Sequence, residues 1–525
     1  MSDQQGGRPF DDDEADDVRR DDDFEPETDE GVDAAARALD PDVDGLSDDQ
    51  LFADDAAELR REAEQSIVAG REVDDENYFE REGDAVYQAL LARVGEQAPQ
   101  PRLSATRRVV ELLGDPQRAY KIVHVTGTNG KTSTSRMTES ILRAAGLRTG
   151  LFTSPHLVRF NERIVVDGLP ITDEALSRNW ADVEPFIDLV DQELVAAGEA
   201  PVTFFEALTV LAFASFADAP VDVAVIEVGM GGEWDSTNVG DGEVAVFTPV
   251  SLDHTQRLGS TVAEIARTKS GIVKPAADVV SSAQVPEVVA ELTRAAELTE
   301  STWSMEGERF RLLDTTLAVG GQVISVQGLA GTYRDVFLPL FGAHQAQNAA
   351  VAIAAVESFL GGGDHAIHDD VLAEGLATAT SPGRLQVVGT EPTVLVDAAH
   401  NPAGAASLAA ALPVYFTFDR VTAVIGVLED KDAEGIVREL EGVVDHFIVT
   451  RSTSERSVDP DELARIVVGI VGRDRVTVEP DLRMALDDAR DSAGETEKGA
   501  ALVTGSILLV GEAIAHAADE GWKTA

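Results

Sequence analysis

From Lys121 onward, short runs rich in β-branched residues alternate with longer stretches in which apolar residues recur every three or four positions. That alternation predicts a parallel sheet covered by helices. Strands are expected at 122–125, 149–153, 223–228 and 244–248, and a second alternating series follows Arg384 at 394–396, 421–425, 446–449, 476–478 and 501–503. Two α/β domains joined near Ser381 to Arg384 follow from this pattern. Upstream, Val86, Leu90, Leu91 and Val94 share one face of a helix predicted over 84–94, and residues 103–113 make another. Ser47 with Gln50 has the form of a capping box that opens a helix through Leu51, Leu59 and Ile67, with a thin apolar stripe.

Charge changes the picture at the N-terminus. The chain of 525 residues has 95 Asp+Glu against 42 Lys+Arg, a formal charge of −53, which argues against nucleic-acid backbones and anionic membranes as partners. Residues 1–46 are too charged and too poor in large apolar side chains to fold alone, so they are read as an acidic disordered tail. The organisation expected is that tail, a helical extension over 47–75, a P-loop-type ATPase domain with a mostly parallel sheet over 76–383, and a smaller Rossmann-like α/β domain over 384–525. The acids of the first twenty residues stand where a secretory signal needs a basic and then an apolar stretch, and no apolar run reaches the ~18 residues of a membrane span. A cytoplasmic protein is expected. There are no cysteines, so any metal must use oxygen or imidazole ligands. Only seven of the basic residues are lysines, and with the general acidity this resembles the proteins of salt-accumulating halophiles, in which dense carboxylates hold water in concentrated salt.

The strongest local signal is Val125-Thr126-Gly127-Thr128-Asn129-Gly130-Lys131-Thr132-Ser133, placed after a strand and opening a helix that runs to Ala145. Glycines let backbone N–H groups face phosphates, the helix start adds partial positive charge, Lys131 neutralises the outer phosphates and a hydroxyl can reach Mg²⁺. The strict Walker spacing is not met, because Val125 stands five residues before Gly130. Glu206, in the apolar stretch after Phe204-Phe205, is a buried carboxylate in need of a partner, either a metal or a cap and ion pair. His254, after a strand, is a ligand or a satisfied structural histidine. Asp397 ends a strand and His400-Asn401-Pro402 opens a helix, which puts these side chains at the carboxyl edge of the second sheet.

Ten segments in one order carry a resemblance to the Mur-ligase superfamily, and within it to folylpolyglutamate synthase/dihydrofolate synthase. They include Thr126 to Lys131, Thr153 to Arg163, Thr203 to Glu206, Glu227 to Gly232, Asp235 to Asn238, Leu252 to His254, Lys269 to Ile272, Pro382 to Arg384, Asp397 to Pro402 and Asp430 to Asp432. The resemblance implies an ATP-dependent ligase that joins L-glutamate to a folate, or to dihydropteroate, through an acyl phosphate. It implies two Mg²⁺ ions, one held by Ser154 and Glu206 and the second by His254, and carbamylation of Lys269 to an anion that helps hold the second. Catalysis falls to Lys131, Lys269 and His254. ATP contacts fall to Gly127, Thr128, Asn129, Gly130, Lys131, Thr132, Ser133, Asn348, Arg384, Asp397 and His400. Pro155, His156, Arg159 and Phe160 belong to a segment similar to the folate enzymes' substrate loop. A monomer acting on small molecules is expected. Thr132 is a departure, since the folate ligases usually have glycine there and the peptidoglycan-precursor ligases have threonine. Two other readings therefore stay open: a Mur-like ligase on another carboxylate precursor, and a nucleotide-binding protein without catalysis.

Overall fold

A computed structural model describes residues 78–95 and 100–523. The acidic tail and the 47–75 extension, with the Ser47 capping box, lie outside the described residues. The first helix spans 78–91 and Ser104–Leu112 forms the second, close to the expected positions.

The first sheet contains β1 Lys121–Thr126, β2 Thr149–Phe152, β3 Ile164–Val166, β4 Leu169–Pro170, β5 Val223–Glu227, β6 Val244–Phe247, β7 Asp278–Ser281 and β8 Thr302–Met305 in the order β4-β3-β2-β5-β1-β6-β7-β8. Pairing is parallel from β2 to β8, and β3 and β4 add an antiparallel edge. The central strands are near-continuous apolar runs because both faces are covered. Val123, Val125, Val225 and Val246 pack on one side against the helices Lys131–Ala144 and Ala343–Gly361. On the other side Ile122, Phe152 and Ile226 pack against Phe204–Asp218 and Asp173–Ala196.

An antiparallel three-stranded sheet, β9 Arg311–Ala318, β10 Gly321–Gln327 and β11 Thr332–Leu338, follows in the order β11-β10-β9. The alternation pattern did not predict it, since β9 is polar and exposed over most of its length and only β10 carries a largely buried row. The buried Glu357 fixes its turn, accepting from the backbone N–H of Leu329, Ala330 and Gly331 and from the Tyr333 hydroxyl.

The second large sheet holds β12 Gln386–Thr390, β13 Thr393–Asp397, β14 Arg420–Ile425, β15 His446–Val449, β16 Val476–Val478 and β17 Gly499–Thr504 in the order β12-β13-β17-β14-β15-β16. It is parallel except for β12, and helices cover both faces. All the strands expected in this half are present, each within a residue or two of its predicted ends. No helix among the described residues is long and apolar enough to cross a membrane.

Candidate active site

The carboxyl ends of β1, β2, β5 and β6 meet those of β13 and β14, and this edge-to-edge junction is where α/β sheets bind ligands. The loop after β1 is braced from behind by the segment after β6: Thr128 N–H donates to Pro249 O at 2.9 Å, and Thr128 Oγ1 donates to Ser251 O at 3.1 Å. Its glycines are dictated by space. A Cβ on Gly127 would lie 1.9 Å from Thr248 Oγ1, and Gly130 has φ +86° with Asn348 Oδ1 2.6 Å from where its Cβ would be. Only glycine adopts that backbone without cost so close to a neighbour. Asn348 thereby touches the loop, oriented by its donation to Gln345 Oε1 at 3.2 Å.

Lys131 starts the helix Lys131–Ala144, and its Nζ donates to Thr128 O within the loop at 3.1 Å. Burial lowers its pKa, opposed by Glu227 and Asp253. The next residue, Thr132, donates from Oγ1 to both carboxylate oxygens of Glu227 at 2.9 Å. Glu227 is 1% exposed at the end of β5; burial pushes its carboxyl up, opposed by Lys131, Thr132 and the Ser154 backbone N–H. Ser133 turns away from the loop: its hydroxyl is buried and bonds Ser381 Oγ at 2.8 Å, and Gln345 Nε2 donates to it at 3.3 Å.

Glu206 requires a correction. Its oxygens accept from Arg102 at 2.9 and 3.1 Å and from the Thr203 backbone N–H at 2.8 Å, completing a capping box at the start of Phe204–Asp218. A carboxylate committed to a guanidinium and a helix start is a structural group. Glu227, quoted in the sequence pattern but not singled out, is the carboxylate that reaches the loop. The signal for it was an acid closing a buried strand next to β1.

Asp253 joins the two sheets. Lys431 Nζ donates to its Oδ1 at 2.9 Å, His400 Nε2 lies 3.8 Å from its Oδ2, and Asn401 Nδ2 is 3.4 Å from the same oxygen. Asn401 also exchanges amide contacts with Asn129 of the loop at 3.1 and 3.4 Å. Burial opposes ionisation of Asp253, but His254, Lys431 and His400 outweigh it and hold the carboxyl below the usual range. His254, in a left-handed conformation at φ +49°, and His400 are both lowered to about 4, first by burial and then by Lys431, so both rings are neutral at pH 7. Lys269, 3% exposed, donates to Gly127 O at 2.6 Å, and burial with the nearby Lys131 lowers it to about 7.

Asp397 spends its oxygens on the backbone N–H of Leu385 and Ala399 at 2.8 and 2.9 Å and so ties the linker to β13. Arg384 stands within electrostatic reach of Lys131, Glu227, Asp397, His400 and the half-buried His344, which sequence reasoning missed. In the segment after β2, His156 Nδ1 accepts from Arg163 Nε at 2.8 Å, and burial lowers its ring to about 3. Pro155 is exposed beside it. Arg159 points outward to Asp173 at 2.8 Å. Phe160 is 6% exposed and stacked on Tyr87 at 5.0 Å, so it anchors the loop's base in the core and offers no open face to a substrate.

Among the described residues no three His, Asp or Glu side chains cluster as a metal cage. What the site offers is one buried carboxylate flanked by the Thr132 and Ser154 positions and by the phosphate loop, the sparse oxygen set that suits Mg²⁺ shared with nucleotide phosphates.

A phosphate loop on one α/β sheet, closed over by the edge of a second, defines a nucleotide-dependent ligase of the Mur type. Residues 125–356 match the Mur ligase middle domain and 383–507 the Mur ligase glutamate ligase domain. The dihydrofolate synthase/folylpolyglutamate synthase of Mycobacterium tuberculosis is 43% identical over 434 residues, 79% of this chain and 89% of its own. A folylpolyglutamate synthase of that organism solved with ADP superposes with a TM-score of 0.80 at 42% identity, covering 84% of this chain and 99% of the other. A probable bifunctional folylpolyglutamate synthase/dihydropteroate synthase of Haloferax volcanii is 38% identical over 79% of this chain, which spans 48% of that relative. The chain belongs to the folylpolyglutamate synthase/dihydrofolate synthase family.

Proposed function

We propose that this protein is an ATP-dependent ligase that adds L-glutamate to the carboxylate of a reduced folate, and also to dihydropteroate. The observation that carries the reading is the convergence on one junction of Lys131 and Glu227 from the first sheet with Lys431 and His400 from the second, all within reach of Asp253 or of each other. The acceptor carboxylate attacks the γ-phosphorus of ATP and ADP leaves; the glutamate amine then attacks the acyl carbon and phosphate leaves. Lys131 and the loop N–H groups hold the phosphates against the approaching carboxylate. Glu227, Thr132 and Ser154 would hold Mg²⁺, which would neutralise charge on the transferring phosphoryl group. Contacts from Asn348, Arg384 and His400 hold the nucleotide between the two sheets, and their closure keeps water from the acyl phosphate.

The test is product mass. Protein in concentrated KCl with ATP, Mg²⁺ and labelled glutamate is offered dihydropteroate and tetrahydrofolate separately. One added glutamyl residue on both supports the reading, product on one alone confines the ligase to that acceptor, and product on neither overturns it.

Lys269 is expected to act as its carbamate. A buried amine of pKa about 7 is largely neutral just above that pH, the form that adds CO₂, and its position near Lys131 disfavours a cation. That anion and the neutral His254 would be the groups to hold a second Mg²⁺, whose charge an ammonium would repel. Lys269→Ala should lose ligase activity and regain part of it in added acetate, which supplies the missing carboxylate. Rates unchanged by the substitution, or no recovery at any acetate concentration, would remove Lys269 from this role.

A further inference from the structure

Many arginines of this protein are paired with an acid. Arg93 pairs with Asp191, Arg102 with Glu206, Arg108 with Glu193, Arg267 with Glu291 and Arg438 with Glu434. With 95 acids to 42 bases, a partner is easily found. Two arginines have a buried Nε without a hydrogen-bond partner, Arg490, which lies over the Trp522 ring at 4.1 Å, and Arg136, which lies beside the phosphate loop. Arg136 is on the helix Lys131–Ala144 one turn beyond Thr132. Three acids lie within its electrostatic reach, Glu162, Glu227 and Glu139. Each is already committed. Glu162 accepts from the backbone N–H of Leu157, Val158 and Arg159. Glu227 accepts from Thr132, and Glu139 from Arg143 and Thr149.

A guanidinium cannot shed its proton, so a buried Nε–H left without an acceptor is unfavourable unless a ligand completes it. The nucleotide is not that ligand. Its phosphates belong to the loop and Lys131 at the helix start, whereas Arg136 is a turn further on, within electrostatic reach of Glu227 and of Glu162, which folds the 154–163 segment. Two anions of the reaction remain, L-glutamate and the acceptor, and the acceptor is favoured because the 154–163 segment folded by Glu162 is the one similar to the folate enzymes' substrate loop. Resting on the ligase reading above, we infer that Arg136 binds a carboxylate of the pteroyl substrate through the planar fork of its guanidinium. Two carboxylates qualify: the reacting one, present in dihydropteroate and folates alike, and the α-carboxylate beside it, present only when a glutamyl residue is already attached.

Arg136→Gln and Arg136→Lys in the full-length protein separate these, with KM measured for dihydropteroate, tetrahydrofolate, L-glutamate and ATP and thermal unfolding followed alongside. A rise confined to L-glutamate overturns the inference. Arg136→Gln should raise the KM of the acceptor roughly 10- to 100-fold, the loss of one charge-assisted contact, with Arg136→Lys between it and the unmodified protein. The KM for ATP should stay within about twofold, and the melting temperature should hold because a buried Nε–H without an acceptor has gone. A rise for both acceptors assigns Arg136 to the reacting carboxylate, and a rise for tetrahydrofolate alone assigns it to the α-carboxylate. Unchanged acceptor KM values in an active variant overturn the inference and leave the ligase reading intact. So does a fall in stability or a parallel loss of ATP binding, either of which makes Arg136 structural. If the unmodified protein glutamylates neither acceptor, the ligase reading itself fails and the inference falls with it.

Discussion

Exchange of Lys131 for alanine should reduce ATP-dependent ligation by roughly 10²- to 10³-fold or more, the scale of removing one preorganised charge from the site of a transferring phosphoryl group. The fold should be unaffected. Lys131 Nζ bonds only to Thr128 O of its own loop, and the loop is held by Gly127 against Thr248, by Thr128 against Pro249 and Ser251 and by Asn129 against Asn401. None of these uses the lysine side chain. Removing a partly buried cation whose pKa is already lowered by burial also relieves desolvation. Thermal unfolding should therefore match the unmodified protein while single-turnover formation of acyl phosphate disappears. A variant that turns over normally would move the phosphate site elsewhere, and one that unfolds would make Lys131 structural.

The loop was legible because its constraints are local. Glycine, lysine and hydroxyl residues occupy consecutive positions, and the strand before and helix after have their own periodicities. The carboxyl edge of the second sheet was legible for the same reason, since Asp397 closes a strand and Asn401 caps the next helix. Glu206 was misread because an acid at the head of an apolar helix has two uses, and the local sequence already held the answer. Thr203 three residues earlier makes the T-x-x-E capping box, and that pattern is a helix start before it is a metal site. Asp253 with Lys431 could not be read, because the two are 178 residues apart and meet only when the two sheets close edge to edge. Arg136 was hidden for a related reason: an arginine on a helix is ordinary until its surroundings show that every acid near it is taken. The antiparallel sheet was lost because exposed polar strands have no alternation to detect.

The exchange Glu227→Gln separates the two carboxylates that compete for the metal role. Glutamine keeps the size of the side chain and can still accept from Thr132, but it carries no charge to offer Mg²⁺. Ligation should fall by roughly 10²- to 10³-fold, and the Mg²⁺ concentration for half-maximal rate should rise, because the carboxylate near the loop is gone. Stability should hold or improve, since burial already pushes the Glu227 carboxyl up and a neutral amide is not penalised for being buried. Glu206→Gln should show the reverse. Its side chain is 3% exposed and paired with an Arg102 that is 13% exposed, so removing the charge weakens that pair while Arg102 keeps Ala200 O, Pro201 O and Glu199, at a cost of roughly 1–3 kcal/mol of folding stability. Per folded molecule, its Mg²⁺ requirement should be unchanged. Magnesium titrations of rate beside thermal melts of the two variants give the answer. A Mg²⁺ requirement that shifts in Glu206→Gln and not in Glu227→Gln would return the metal to Glu206.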